Sequence, residues 1–343
     1  MKIAMFALDK LLAISVAFLF AAPAPAAAQD VPFDTYMAQV AQKARAQGVS
    51  ERTITSYLTG LTPNSRVIEL DQSQPGSPSR SGYPPLQPYL DTHVNPTRTA
   101  SGRRVYQSAF PTLQAIERQY GVPGEILVAI WGHETNYGSY TGNFDLARSL
   151  ATLAWEGRRR ELFEPELLAL LQIADSGVPR SRLEGSWAGA FGNPQFLPTV
   201  YQRLAVDADG DGVRDIWNSR TDTLHSIANY FVDAGWRRGI PWGVQAYVPA
   251  GLDRGAIDDK LDAPVCERVH ERHSQWKTVA EWRELGVQPQ QPLPDDTLAA
   301  LFEPDGVNAR KWLLTGNYRV ILEYNCSNYY AMSVGLLADE ISR

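Results

Sequence analysis

The sequence predicts a mainly α-helical protein with an additional N-terminal helical region and a small mixed α/β segment before a C-terminal helix. Three observations carry this expectation. Apolar residues recur at helical spacing along most of the chain. Period-two alternation is confined to the stretch after Trp242, where Val244-Gln245-Ala246-Tyr247-Val248 reads as a strand. No internal repeat divides the sequence, so the elements belong to one non-repetitive architecture.

The elements follow in chain order. Lys2 and Lys10 precede an apolar run, Leu11 to Ala22, too short to anchor stably across a bilayer. Ala26 and Ala28 give it the small-residue ending of a cleavage site, so residues 1–28 read as a cleaved export signal rather than an N-terminal core helix. No cysteine follows the run, so lipid attachment there is excluded and no membrane anchor is expected. From Phe33 to Leu61 the pattern is helical, with Tyr36, Val40, Ala44, Ile54 and Leu58 on one side. Ser73 to Pro88, rich in Pro and Ser, reads as an irregular surface crossing. Helical spacing resumes from Tyr106 to Tyr120, and the next helix opens near Pro123 and can end at Gly138. Asp145–Trp155, Glu164–Ala174 and Asp222–Ala234 read as further helices, the last with Leu224, Ile227, Ala228 and Phe231 on one face. Beyond the 244–248 strand, Thr278–Leu285 reads as a short helix. Trp312 to Tyr318 and Arg319 to Leu322 carry weaker strand or turn signals, and Tyr329–Ile341 closes the chain as a helix.

Composition narrows the function. Removing Lys2, Asp9 and Lys10 with the signal moves the formal charge from −6 to −7. A net acidic chain gives no reason to expect nucleic acid or anionic lipid as a partner. Nine Trp and fifteen Tyr suit a carbohydrate cleft, although most such side chains fill cores. In an oxidising compartment Cys266 and Cys326 can pair; the sequence leaves this open because it does not give the distance between them. Cys266, His270 and His273 lack an evident fourth ligand and read as a solvated helix face rather than a zinc site.

The strongest chemical signal is Ile126-Leu127-Val128-Ala129-Ile130-Trp131-Gly132-His133-Glu134-Thr135-Asn136-Tyr137-Gly138. Leu127 lies seven residues and Ile130 four residues before Glu134, which places the carboxyl on the apolar side of a helix. A carboxyl there is desolvated, resists ionisation and suits a general acid; the plainer reading is a helix-end Glu in a salt bridge. This segment resembles the catalytic-helix motif of the lytic murein transglycosylase B family, whose core is similar to goose-type lysozyme. The resemblance continues through Gly185-Ser186-Trp187-Ala188-Gly189-Ala190-Phe191-Gly192-Asn193-Pro194-Gln195-Phe196-Leu197-Pro198-Thr199-Val200-Tyr201, then Ala228-Asn229-Tyr230-Phe231, Gly235-Trp236, Tyr324-Asn325 and Asn328-Tyr329-Tyr330-Ala331-Met332. Upstream, Gly60-Leu61-Thr62-Pro63 and Arg66 to Asp71 also resemble the family, so the likeness covers nearly all of the chain after the signal.

The resemblance implies a soluble, periplasmic member whose lysozyme-like catalytic core spans 106–243. An N-terminal helical region (29–105) precedes it; a mixed segment (244–322) and a cleft-lining C-terminal helix (323–343) follow. It implies cleavage of the β-1,4 bond between N-acetylmuramic acid and N-acetylglucosamine in peptidoglycan glycan strands. Glu134 is then the single acid/base, the product carries a 1,6-anhydro end, and no cofactor takes part. An ordinary glycosidase needs two carboxylates flanking the bond, and spacing nominates no second one here. Ser186, Gln195, Tyr230, Tyr324 and Tyr330 match cleft residues of the family, while His133 stands where an apolar residue is expected and reads as a neighbouring variation. The small residues of Gly189–Gln195 let a sugar approach the backbone, and Gln195 can both donate and accept hydrogen bonds. Relatives often carry a separate peptidoglycan-binding module, and this chain stops at Arg343, so targeting is expected from the cleft or from a partner the sequence does not name.

Asp207-Ala208-Asp209-Gly210-Asp211-Gly212-Val213-Arg214-Asp215-Ile216-Trp217-Asn218 fits a calcium loop of the EF-hand type. Asp207, Asp209 and Asp211 would supply oxygens, Val213 its carbonyl, and Asp215 a direct or water-mediated contact. Asn218 stands where a bidentate Glu is usual, which weakens the site. A structural Ca2+ or Na+ is expected; an Asp/Gly turn without metal is the plainer reading. Two rival functions stand beside the transglycosylase: a hydrolytic muramidase on the same scaffold, and a non-catalytic peptidoglycan-binding protein.

Overall fold

The computed structural model describes residues 31–73, 83–258 and 266–343. The expected signal segment lies outside these, as does most of the Ser73–Pro88 stretch. Among the described residues no helix is long and apolar enough to cross a membrane.

The expected helical pattern from Phe33 to Leu61 is two helices, α1 (Phe33–Ala46) and α2 (Glu51–Leu58). Gly48 turns the chain at φ +88°, and the Ser50 side chain caps α2 by accepting from Thr53 N. α3 (Ser65–Gln72) follows, its buried Asp71 accepting from Arg158 Nε at 2.8 Å and pairing with Arg159. α4 (Gln87–His93) and α5 (Pro96–Ser108) are helices that periodicity did not resolve, because both are short or polar; Asn95 caps α5 ahead of Pro96. The expected 106–120 helix breaks at Ala109, and α6 (Phe110–Tyr120) starts afresh with Pro111 in its first turn.

α7 (Gly124–Thr135) begins after Pro123, which stands at the N-cap rather than inside the first turn, and ends before Gly138 because Asn136 is already left-handed. A two-residue ladder joins β1 (Phe144–Asp145) to β2 (Glu184–Gly185) around α8 (Leu146–Glu156) and α9 (Arg160–Asp175). α10 (Pro198–Leu204) and α11 (Arg220–Asp233) complete the central body.

The mixed segment is a five-stranded antiparallel sheet of order β4-β6-β7-β3-β5. Its strands are β3 (Gly243–Tyr247), β4 (His273–Thr278), β5 (Gln288–Pro289), β6 (Leu298–Phe302) and β7 (Trp312–Thr315). α12 (Glu267–His270) and α13 (Val279–Glu284) are short; α13 opens on a Thr278/Glu281 capping box. The strand or turn signal at Arg319–Leu322 is a helix instead, α14 (Gly316–Tyr324), where Tyr318, Ile321 and Leu322 are buried at helical spacing. α15 (Asn328–Ser342) closes the chain. Cys266 and Cys326 form a disulfide, with Cα atoms 5.3 Å apart, that ties the sheet segment to the α14–α15 turn. The sulfur is therefore no zinc ligand. His270 and His273 are buried rather than solvated, His273 meeting Asn328 Oδ1 at 2.8 Å.

The interior divides into three apolar cores. One gathers α6, α7, α11, α14 and α15; the second gathers α1, α2, α8, α9 and the 191–216 loop; the third lies under the sheet. Tyr230 and Tyr324 pack against both the first and the second, marking the seam between the two helical bodies.

Candidate active site

Glu134 is carried to that seam by the last turn of α7. The helix is apolar all round, with Ile126 to Trp131 buried without a break, so its polar end is held in place by packing on both sides. Tyr330, buried in α15, donates its hydroxyl to Glu134 Oε1 at 2.5 Å. Part of the Glu134 side chain still meets solvent, yet crowding around the carboxyl is enough to push it up to about 7. Burial is the cause; the Tyr330 hydrogen bond favours the ionised form and opposes it. No second carboxylate among the described residues adds to the shift. A carboxyl that titrates near neutrality keeps a large share of its proton there and is able to donate it.

Three tyrosines face it. Tyr330 and Tyr324 are raised well above the usual phenol range, by burial first and by the Glu134 charge second. Tyr89, on α4, is raised by burial and also feels Glu134. It was not foreseen, because it follows the Pro- and Ser-rich stretch read as irregular. Tyr324 donates to Pro194 O at 2.6 Å. Tyr230 stacks edge-on against Tyr324 at 4.7 Å between centroids and donates to Glu323 O at 2.7 Å. Tyr230 thus braces Tyr324 rather than bonding Glu134.

The second body supplies the glycine-rich loop. Gly142, at φ +92°, passes so close to Gly185 that a Cβ would stand 2.2 Å from its carbonyl carbon. That approach lays the turn after α7 directly on the loop. Ser186 Oγ accepts from Ala190 N at 3.0 Å, so its visible work is to close the turn. Gln195 sits in the left-handed region at φ +51°, its Nε2 donating at 3.0 Å to both Thr141 O and Gly192 O. Its carbonyl oxygen takes no hydrogen bond from the described residues and remains available as an acceptor. Asn193 is the clasp the sequence reading passed over. It accepts from Trp131 Nε1 (3.1 Å), donates to Trp217 O (3.0 Å), and gives its backbone carbonyl to Thr135 Oγ1 (3.1 Å). The Asn193 amide is buried and used on both sides, and nothing in the sequence marks it apart from the Gly-rich run around it.

Of the six expected metal residues, the structure brings three together: carboxylate oxygens of Asp207, Asp209 and Asp211 lie within 4.8 Å of one another. Asp207 is oriented by the amides of Gly210 and Gly212, at 2.8 and 2.9 Å. Asp215 is engaged elsewhere, accepting from Trp217 N, Asn218 N and Arg182, while the Asn218 amide donates to it. Asp222, unforeseen and fully buried, holds both ends of the loop through Ala208 N (2.9 Å) and Asp215 N (2.8 Å).

The seam between the two helical bodies thus holds a carboxyl raised by burial, and no carboxylate among the described residues contributes to that rise, an arrangement suited to a lysozyme-like lytic enzyme. A model of the transglycosylase SLT domain matches residues 32–339, and the chain belongs to that family. It is 33% identical over 305 residues to membrane-bound lytic murein transglycosylase B of Escherichia coli, covering 86% of this chain and 79% of that one. SltB3 from Pseudomonas aeruginosa, solved in complex with NAG-anhNAM-pentapeptide, superposes with a TM-score of 0.80 at 40% identity, over 90% of this chain and 79% of that one. The E. coli lytic transglycosylase Slt35, solved with calcium, gives 0.73 at 27% identity, over 91% and 93% of the two chains. The lysozyme-like, mainly α architecture and the lytic transglycosylase class expected from the sequence are both borne out.

Proposed function

We propose that this lytic transglycosylase cleaves the β-1,4 bond between N-acetylmuramic acid and N-acetylglucosamine in peptidoglycan, with Glu134 as its only acid/base. The observation that carries the reading is the Glu134 carboxyl itself, raised by burial to about 7 with no carboxylate among the described residues contributing. Glu134 gives its proton to the glycosidic oxygen as the bond to the muramoyl C1 breaks. The resulting carboxylate, steadied by the Tyr330 hydroxyl, takes the proton of the muramoyl C6 hydroxyl, whose oxygen closes on C1. Protons balance, no water is consumed, and the product is a 1,6-anhydro end. Gln195 offers its carbonyl oxygen to the saccharide, Ser186 keeps the loop in shape, and Tyr230 and Tyr324 form the cleft wall.

Calcium belongs in the 207–212 loop, on Asp207, Asp209 and Asp211, as a structural ion apart from the reaction. The Val213 carbonyl, Asp215 and Asn218 would complete its shell after local rearrangement. Export to the periplasm by residues 1–28 fits both the substrate and a disulfide-permissive compartment.

The test is digestion of purified sacculi followed by mass analysis of the released muropeptides. Anhydro ends support the reading; reducing muramic ends, about one water heavier, would replace it with hydrolysis. Glu134→Gln should abolish release while sacculus binding persists, and release at the parental rate would remove Glu134 from its role.

A further inference from the structure

Behind Glu134 runs a column of rings drawn from three helices. Tyr89 and His93, one turn apart on α4, stack at 3.8 Å with planes 8° apart. His93 continues onto His133 of α7, at 5.9 Å and 14°. His133 then meets Tyr330 of α15 at 5.5 Å and 56°, and Tyr330 ends the column with its hydroxyl on Glu134. Successive helix residues turn by about 100°, so His133 and Glu134 point to different sides of the same turn. The neighbour of the acid in sequence thus reaches it in space only through Tyr330.

We infer that His133 is a positioning residue: it fills the space between His93 and Tyr330 and so fixes the ring angle at which the tyrosine hydroxyl reaches Glu134. This rests on the reading of Glu134 as the acid. His133 works by shape. Its Nε2 is buried without a hydrogen-bond partner among the described residues, so its ties to the site are its ring contacts with His93 and Tyr330. The groups facing the ring are His93, Arg98, Tyr330 and the Ser333 backbone; burial, then Arg98, hold it neutral, pushed down to about 3. It therefore adds no titration of its own where Glu134 titrates, and the groups facing Glu134 are Tyr330, Tyr324 and Tyr89.

The experiment measures kcat against pH on sacculi for the parent, His133→Val and His133→Phe. It adds a 13C titration of the Glu134 carboxyl in each, which reads the acid whether or not the protein turns over. Losing the Tyr330 donor removes an interaction that favours the carboxylate, so in His133→Val the carboxyl titration and the alkaline limb should both move up, by about one pH unit. His133→Phe, which restores a ring, should return both to within about 0.3 unit of the parent. A His133→Val titration that superimposes on the parental one, even with a lowered melting temperature, overturns the proposal. His133→Leu, nearer the native volume, replaces Val where that variant does not fold. A parent that releases no muropeptides would sink the functional reading instead, leaving the carboxyl titration to judge His133.

Discussion

Glu134 should weaken the fold that holds it, by an amount that depends on pH. Its carboxyl is raised from the ordinary 4.5 to about 7, chiefly by burial. Below pH 4.5 the group is protonated in folded and unfolded chains alike, and it contributes no pH-dependent difference. Between pH 4.5 and 7 the unfolded chain ionises while the folded one keeps its proton, so the folded state loses stability as pH rises. Each unit is worth about 1.4 kcal/mol, so the full penalty above pH 7 is about 3 kcal/mol, less whatever water reaches the side chain. Glu134→Gln abolishes the titration while keeping an oxygen for the Tyr330 hydroxyl. Urea unfolding of both proteins at pH 4, 6 and 8 measures the difference, and the other carboxyls cancel between them. The variant's advantage should grow from its value at pH 4 by about 3 kcal/mol at pH 8. A stability difference that stays flat with pH, or moves against the variant, would refute the claim that the carboxyl is desolvated.

Tyr330→Phe keeps the ring and removes the donor; the alkaline limb of activity should rise by about one to two pH units, read from kcat–pH profiles. Asn193→Ala strands Trp131 Nε1 and leaves the Gln195 loop tied to α7 through the Asn193 backbone carbonyl alone, costing about 1–3 kcal/mol in urea unfolding and lowering kcat more than it changes KM. Calcium should raise the thermal midpoint of the parent, with about 2.7 kcal/mol gained at a hundredfold excess over Kd. Asp209→Asn should lose most of that gain, and chelation should leave kcat near its parental value below the melting transition.

The fold was legible where packing and periodicity agree. α7, α9, α11 and α15 bury long faces, and their apolar spacing gave them away. α4 and α5 were missed because their contacts are made by a few residues from a polar stretch, such as Leu90 and Thr99, and short helices depend on tertiary context. α14 was mistaken for strand or turn because the β-branched pair Val320 and Ile321 favours strands locally, and packing against α15 overrules it. In the site, Glu134 stood out because a carboxyl on an apolar helix face is a local contradiction visible in the letters, but that left a helix-end salt bridge open, and its expected role came from the resemblance. Tyr89 and the clasp of Asn193 were not, since their meaning lies in partners about 45 and 60 residues away. In the acidic loop, spacing alone brought Asp207, Asp209 and Asp211 to one point, while the bond from Arg182 to Asp215 is made by a residue distant in sequence.

The seam marked by Tyr230 and Tyr324 has a mechanical consequence. Glu134 and Tyr330 ride on one body and Gln195 on the other, joined across the boundary by the Asn193–Trp131 and Tyr324–Pro194 bonds. A hinge of a few degrees between the bodies, over a lever arm of about 10 Å, displaces Glu134 relative to Gln195 by several tenths of an ångström. Substitutions deep in either core, remote from any sugar, would then surface as lost turnover before they surface as lost folding.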